Sequence, residues 1–208
     1  FGIKSYKNNF RNNLSIFYGQ RLNQQVSISS QQYPSDPNSF LFYKSNATGG
    51  VISGLELESK YYSKRYEIGL KLGHLKTWVD DFEFELGIGS SKKAGNREMA
   101  MSPNFNGSIS FLGYLRENLY INIINTYKSE YYFSDSHDYK SSAYNLTNVS
   151  FGYSFSNVEI KLWVRNLWDK VYETRGFYFG LKPPNFEDEL FKSFGDPRQS
   201  GLSFNYNF

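Results

Sequence analysis

The chain has 208 residues and a net charge of +3 from 23 basic and 20 acidic side chains, a balance too even to argue for a nucleic-acid partner. It contains no cysteine, which excludes a disulfide framework and thiol chemistry, and no run approaching the ~18 apolar residues of a membrane-spanning helix. Mean hydropathy is -0.57, a soluble-looking value that still leaves a membrane barrel open, because such a wall gives every second residue to a wet lumen.

Helical periodicity is almost absent, and alternating segments separated by turn residues predict an all-β chain. The opening FGIKSYKNNF lacks the basic start and apolar core of a secretory leader; residues 1–7 read instead as the tail of a strand. Leu14, Ile16 and Tyr18 mark a long strand that Val26 and Ile28 continue, until the prolines of 34–39 (PSDPNS) break it. A return strand covers about 40–61, with Leu55, Leu57 and Tyr61 opposite Gly54, Glu56, Glu58 and Lys60. A polar turn near Ser63 leads to Tyr66, Ile68, Leu70 and Leu72, opposite Glu67, Gly69 and Lys71. Residues 79–101 read as a long polar connection. Then come Phe105, Ile109, Phe111 and Leu115, a tight turn at Arg116–Asn118, and Leu119, Ile121 and Ile123. A polar loop over 134–140 precedes Val149, Phe151, Tyr153 and Phe155. A turn at Ser156–Asn157 precedes Val158, Ile160, Leu162 and Val164, and residues 173–196 form a second long loop. The last segment, GLSFNYNF, puts Leu202, Phe204, Tyr206 and Phe208 on one face and Gly201, Ser203, Asn205 and Asn207 on the other.

The connections alternate short and long, as outer-membrane barrels do, with their long loops extracellular. Several strands exceed the ~9–11 residues needed to cross a bilayer. Aromatics form 19% of the chain and gather near strand ends, where rings favour the membrane interface. The pattern therefore predicts an antiparallel transmembrane β-barrel wall of about nine strands. Because bacterial single-chain barrels use even numbers, an odd count suggests part of something larger.

Ordered motifs along the chain resemble one family. Asn166-Leu167-Trp168-Asp169-Lys170 followed by Tyr172 resembles the Asn-Leu-Phe-Asp-Lys-x-Tyr signature of TonB-dependent outer-membrane receptors, with Trp in place of Phe. Gly195-Asp196-Pro197-Arg198, then Gly201 and Phe208, resembles that family's closing segment. Tyr144, Leu146, Asn148, Gly152 and Tyr153 resemble the preceding strand, and Gly54, Glu56 and Glu58 one farther upstream. The resemblance implies a 22-stranded plugged barrel in the outer membrane of a Gram-negative bacterium. Residues 1–208 would supply its C-terminal portion, about strands 14–22, with the plug and first barrel strands lying outside them. It also implies uptake of a scarce solute, an iron-siderophore complex first, powered by the TonB energy-transducing complex through that plug. A passive porin-like channel and a small structural or adhesive barrel are the alternatives. Nine strands alone leave two open edges in lipid, where each orphan backbone group costs several kcal/mol.

The candidate sites follow from these patterns. Leu202, Phe204, Tyr206 and Phe208 resemble the C-terminal signal read by the barrel-assembly machinery through edge-strand pairing. Phe177, Tyr178, Phe179, Phe186, Phe191 and Phe194 crowd the last loop, where they form a ligand platform, pack the loop on itself or sit in the interfacial girdle. Glu56, Glu58, Lys60, Glu67, Lys71, Glu159, Lys161 and Arg165 are expected to form a cross-strand ladder hydrating the lumen wall. Asp80, Asp81, Glu83 and Glu85 lack the glycine and spacing of a calcium loop and read as a solvated stretch. Asp135, His137 and Asp138 are a weak transition-metal pattern. No catalytic residue, metal ligand or cofactor is assigned. The histidines are His74, read as an interfacial residue near a strand end, and His137, too close to Ser134 and Ser136 to imply a triad.

Overall fold

The computed structural model describes residues 1–33, 36–87, 89–187 and 189–208; Pro34 and Ser35 of the proline break lie outside them. The wall strands are β1 (Gly2–Lys7), β2 (Phe10–Gln31), β3 (Phe40–Tyr62), β4 (Tyr66–Val79), β7 (Phe105–Arg116), β8 (Leu119–Lys128), β9 (Tyr144–Phe155), β10 (Val158–Arg165) and β13 (Gln199–Tyr206). They form one antiparallel nine-stranded sheet in the order β1-β2-β3-β4-β7-β8-β9-β10-β13. The sheet is part of a barrel, and its β1 and β13 margins each pair on one side only.

Both long connections expected as loops contain a hairpin. One is β5 (Phe82–Gly87) with β6 (Ser90–Ala94), the other β11 (Glu173–Phe179) with β12 (Glu189–Phe194). The first is a period-two strand in which Phe82 and Phe84 are buried between Glu83 and Glu85. The carboxylates of this supposedly solvated stretch are its outward positions.

Register sorts the wall into two chemistries. On one face Leu202 opposes Leu162, Leu162 opposes Phe151, and Phe151 opposes Ile121. Farther round, Ile123 opposes Phe111, Phe111 opposes Ile68, Ile68 opposes Tyr61, and Tyr61 opposes Phe10. Leu162, Leu202 and Phe204 are more than half exposed, so water would face a largely apolar band, interrupted by the hydrogen-bonded pairs Asn12–Ser59 and Asn125–Thr147. Moving each such side chain into hydrocarbon contributes ~1.5–3 kcal/mol. Rings gather at both rims of the band, with Phe10, Tyr61 and Tyr66 in contact near the short turns and Phe105 against Tyr127 at the far end.

The opposite face is polar. Glu58 lies 3.6 Å from Lys71 and 3.9 Å from Lys60, and it accepts a hydrogen bond from Asn13 Nδ2. Glu159 accepts from Tyr120 Oη at 2.8 Å and Asn205 Nδ2 at 2.9 Å, and Ser15 donates to Glu56. The expected ladder therefore forms around Glu56, Glu58 and Glu159. Among the described residues, Glu67, Lys161 and Arg165 make no ion pair, and Arg165 lies over the Trp163 ring instead.

β2 and β3, of 22 and 23 residues, rise far beyond the ~9–11 needed for a crossing. At Asn23, φ is 51°, a left-handed conformation that asparagine tolerates. Below it the even-numbered Tyr18 and Leu22 are exposed; above it the even-numbered Val26, Ile28 and Ser30 are buried. The upper ribbon has reversed its phase. Its buried row joins Ala47, Val79, Phe82, Phe84 and Met99 in the main hydrophobic cluster of the described residues. Val79 and Thr77 share the face of β4 that carries Lys71, so this cluster leans over the polar side of the sheet.

Candidate functional site

The four long connections meet at one end of the sheet, over its polar face, and form a canopy. Three sets of contacts hold it.

The first is built on Asn166, directly after β10. It is 5% exposed with φ 48°, a conformation asparagine accepts where most residues are strained. Its Oδ1 accepts from Lys170 N at 2.9 Å, and its Nδ2 donates to Lys170 O at 3.0 Å and to Asp196 O at 3.1 Å. Asp169 Oδ1 accepts from Arg198 N at 2.7 Å, and Leu167 N donates to Thr147 O. Tyr172 packs on Tyr144 with ring centroids 4.6 Å apart and lies over Gly195, where any Cβ would strike its ring. Pro197 is exposed beside these contacts, and Gly201 leaves room for the Trp163 ring. The residues singled out in sequence thus form a clamp that fastens both ends of the last long connection.

The second is Arg97, in the connection between β6 and β7 and 8% exposed. Its Nη2 donates to the carbonyls of Ser134, Asp135 and His137 at 2.9, 2.8 and 2.8 Å, and its guanidinium lies 4.2 Å above the Tyr132 ring. Asp138 completes the site as an ion pair. A planar fork suits this set of carbonyls and ring.

The third is the 134–138 segment. Asp135 accepts backbone N–H bonds from Ser27 at 3.1 Å and Ala100 at 3.4 Å. His137 Nε2 lies 3.1 Å from Ser29 Oγ, and its ring stacks on Tyr178 at 4.6 Å. Asp135, His137 and Asp138 therefore engage separate protein partners, and their work is to dock loops. Tyr139 and Tyr131 donate to Glu173 and to Thr174 O, both at 3.3 Å, tying the segment to the last hairpin.

Burial, reinforced by Lys92 and Arg97, pushes His137 down from 6.5 to about 4, with Asp138 opposing. Above pH 6.5 the ring is neutral whether the loops are packed or open, and the packing keeps its full stability. As pH falls from 6.5 towards 4, the open form takes up a proton that the packed form refuses, and stability is lost. In the full-length protein, spin labels at Glu130 and Leu181 are expected to show a narrow distance distribution at pH 7 that broadens towards pH 4. His137→Gln is expected to abolish that pH dependence; broadening of equal size in the variant contradicts the assignment.

The aromatic hairpin lies against the tip of the ribbon. Phe179 meets Phe40 at 4.4 Å, and Phe177 meets Phe179 at 5.1 Å and stacks on Phe191 at 6.3 Å. Phe186 sits in the hairpin loop at φ 50°, its N–H donating to Lys182 O, and Phe194 pairs with Glu173 and stays more than half exposed. On β13, Leu202, Phe204 and Tyr206 line the exposed apolar face; the strand ends at Tyr206, short of the expected residue 208, and the exposed Phe208 ring lies 5.1 Å from that of Tyr206. Arg97, Tyr132 and Ser29 carried no sequence signal, since isolated residues in polar segments have no periodicity to read.

Residues 1–167 match the sequence model of the family described as TonB dependent receptor-like, beta-barrel. The chain belongs to that family. Its fold is similar to the siderophore receptor PiuA from Acinetobacter baumannii, at 15% identity and TM-score 0.72, covering 99% of this chain and 27% of that one. It is similar to the ferric yersiniabactin uptake receptor FyuA from Yersinia pestis, at 16% identity and TM-score 0.75, covering 100% and 29%. It is also similar to the copper transporter OprC, at 13% identity and TM-score 0.73, covering 100% and 30%. The chain thus spans under a third of the length of these structures. Family and neighbours alike are receptors and transporters rather than enzymes, and the half-apolar, half-polar wall fits an outer-membrane barrel.

Proposed function

We propose that this chain is the C-terminal part of the barrel of an outer-membrane receptor in a Gram-negative bacterium. The receptor takes up a scarce solute, an iron-siderophore complex first, and the TonB complex drives it through a plug domain outside these residues. Family membership carries the reading, supported by a polar wall beneath a canopy of long connections. The exposed rings of the last hairpin, Phe177 and Phe194 among them, offer the ligand its aromatic surface, and the Asn166 clamp holds that hairpin at the mouth. Leu202, Phe204, Tyr206 and Phe208 present the edge strand to the assembly machinery, as an unpaired ladder suits β-strand addition.

The test is radioiron uptake by cells with and without the gene for the full receptor. Loss of uptake of one ferric siderophore in the deletion strain, and in wild-type cells on dissipating the proton-motive force, is the expected result. Unchanged uptake of every ferric siderophore assigns another nutrient, and uptake that survives de-energisation makes the protein a passive channel.

A further inference from the structure

Charge is sparse on the apolar face of the wall; besides Arg116, which opposes Leu119 at a bulge on the short-turn rim, and Lys44 on the outward side of the upper ribbon, two lysines stand on it among the described strand residues. Lys7 lies beside Phe10 at the short-turn rim, and Lys76 lies near the top of β4. Lys76 stands ten residues above Tyr66. At ~3.3 Å per residue and ~40° tilt that is about 25 Å, the height of a barrel's apolar band. It therefore falls where hydrocarbon gives way to head groups on the long-connection side. Its neighbours on that face, His74 and Trp78, are exposed with it, and no carboxylate lies within ion-pair distance of Lys76 among the described residues.

These side chains border a cavity of 340 Å³ whose lining includes His74, Lys76, Trp78, Glu98 and Asn104. Asn104 Nδ2 donates to Glu98 Oε1 at 3.2 Å, while its buried Oδ1 has no hydrogen-bond partner. Lys140 lies 3.8 Å from the other Glu98 oxygen and 3.1 Å from Glu130, so it offsets the Glu98 charge only in part. The cavity thus presents a free ammonium, an exposed indole, an acceptor without a donor and a partly compensated carboxylate that suits hydroxyls rather than the phosphate.

We propose that this upper outer corner of β4 binds the phosphorylated sugar head group of an outer-leaflet glycolipid. The ammonium pairs with the phosphate in a charge-assisted bond. The indole covers the C–H face of the sugar ring at the depth where tryptophan favours the interface, and Asn104 and Glu98 take sugar hydroxyls. A glycerophospholipid supplies the phosphate without the ring, so it fits half of this site. The proposal rests on the outer-membrane reading given above.

The test uses the full receptor, delipidated in detergent and titrated with diphosphoryl lipid A or phosphatidylglycerol, with bound lipid counted by native mass spectrometry. Lys76→Gln is expected to weaken lipid A binding about tenfold, the loss of one charge-assisted bond. Lys76→Arg is expected to retain binding, Trp78→Leu to weaken it independently, and Lys7→Gln to leave it unchanged. Lipid A binding undiminished in both Lys76→Gln and Trp78→Leu, or phosphatidylglycerol binding the wild type equally well, overturns the site. Membrane fractionation of the wild type separates the two readings. A receptor absent from the outer membrane sinks the receptor assignment, whereas an outer-membrane receptor with unaltered lipid binding in the variants sinks this site alone.

Discussion

Asn166→Ala is expected to free the last long connection. The substitution removes three hydrogen bonds from a residue 5% exposed and leaves Lys170 N, Lys170 O and Asp196 O without that partner. Lys170 and Asp196 are exposed residues, so water replaces part of each bond; at ~0.5–1.5 kcal/mol net for each of the three, the loss is about 3 kcal/mol. Alanine at a left-handed φ adds about 1 kcal/mol more. Local opening of residues 171–198 then rises about a hundredfold or more. Arg175 and Lys192 make this measurable as trypsin cleavage of the full receptor in detergent. Asn166→Asp keeps the acceptor and forfeits the donors, so it should fall between. Cleavage of the alanine variant at the wild-type rate would mean that the hairpin is held by its aromatic contacts with Phe40 and Phe42 instead.

Arg97→Met is expected to unfasten the canopy from within. The ion pair to Asp138 contributes little, because the Asp138 side chain is 84% exposed and solvent screens such pairs to about 0–1 kcal/mol. The larger effect comes from the carbonyls of Ser134, Asp135 and His137, all directed at one buried guanidinium. The methionine leaves these three neutral carbonyls short of a donor, at ~1–3 kcal/mol for each that stays out of water, or about 3 kcal/mol in all. Amide exchange over 132–140 should therefore accelerate at least about a hundredfold. Ser27 should follow, since its N–H is held by Asp135. Arg97→Lys retains charge without the planar fork and should recover only part of the protection. Exchange confined to the Asp138 neighbourhood would show that Arg97 acts as a surface ion pair after all.

The wall was readable because its physics is periodic. Leu55, Leu57 and Tyr61 alternate with charged residues for no reason other than facing different solvents, and the return strand expected over 40–61 is Phe40–Tyr62. The short turns at Ser63, Asn118 and Asn157 were legible for the same reason. The β5–β6 hairpin escaped because Glu83 and Glu85 dominate the reading of a six-residue strand whose order depends on Phe82 and Phe84. The clamp could be picked out as a motif, but its mechanics could not, since Asn166 works by reaching Asp196, 30 residues away. Arg97 is the extreme case, with every carbonyl it holds 37 to 40 residues distant in the chain. The segment suspected of metal chemistry, 135–138, was conspicuous for a sound reason. Its polar groups are committed, and the commitment is to neighbouring loops.

The left-handed residue at Asn23 divides the labour of one continuous ladder. On the proposed outer-membrane reading, side-chain choice on β2 answers to the bilayer below this residue and to the packing of the cap above it. Because the crossover is confined to one position on the strand, substitutions that remodel the upper storey do not shift the membrane register below. A receptor assembled this way can exchange what it displays to its surroundings while keeping the same footing in the lipid.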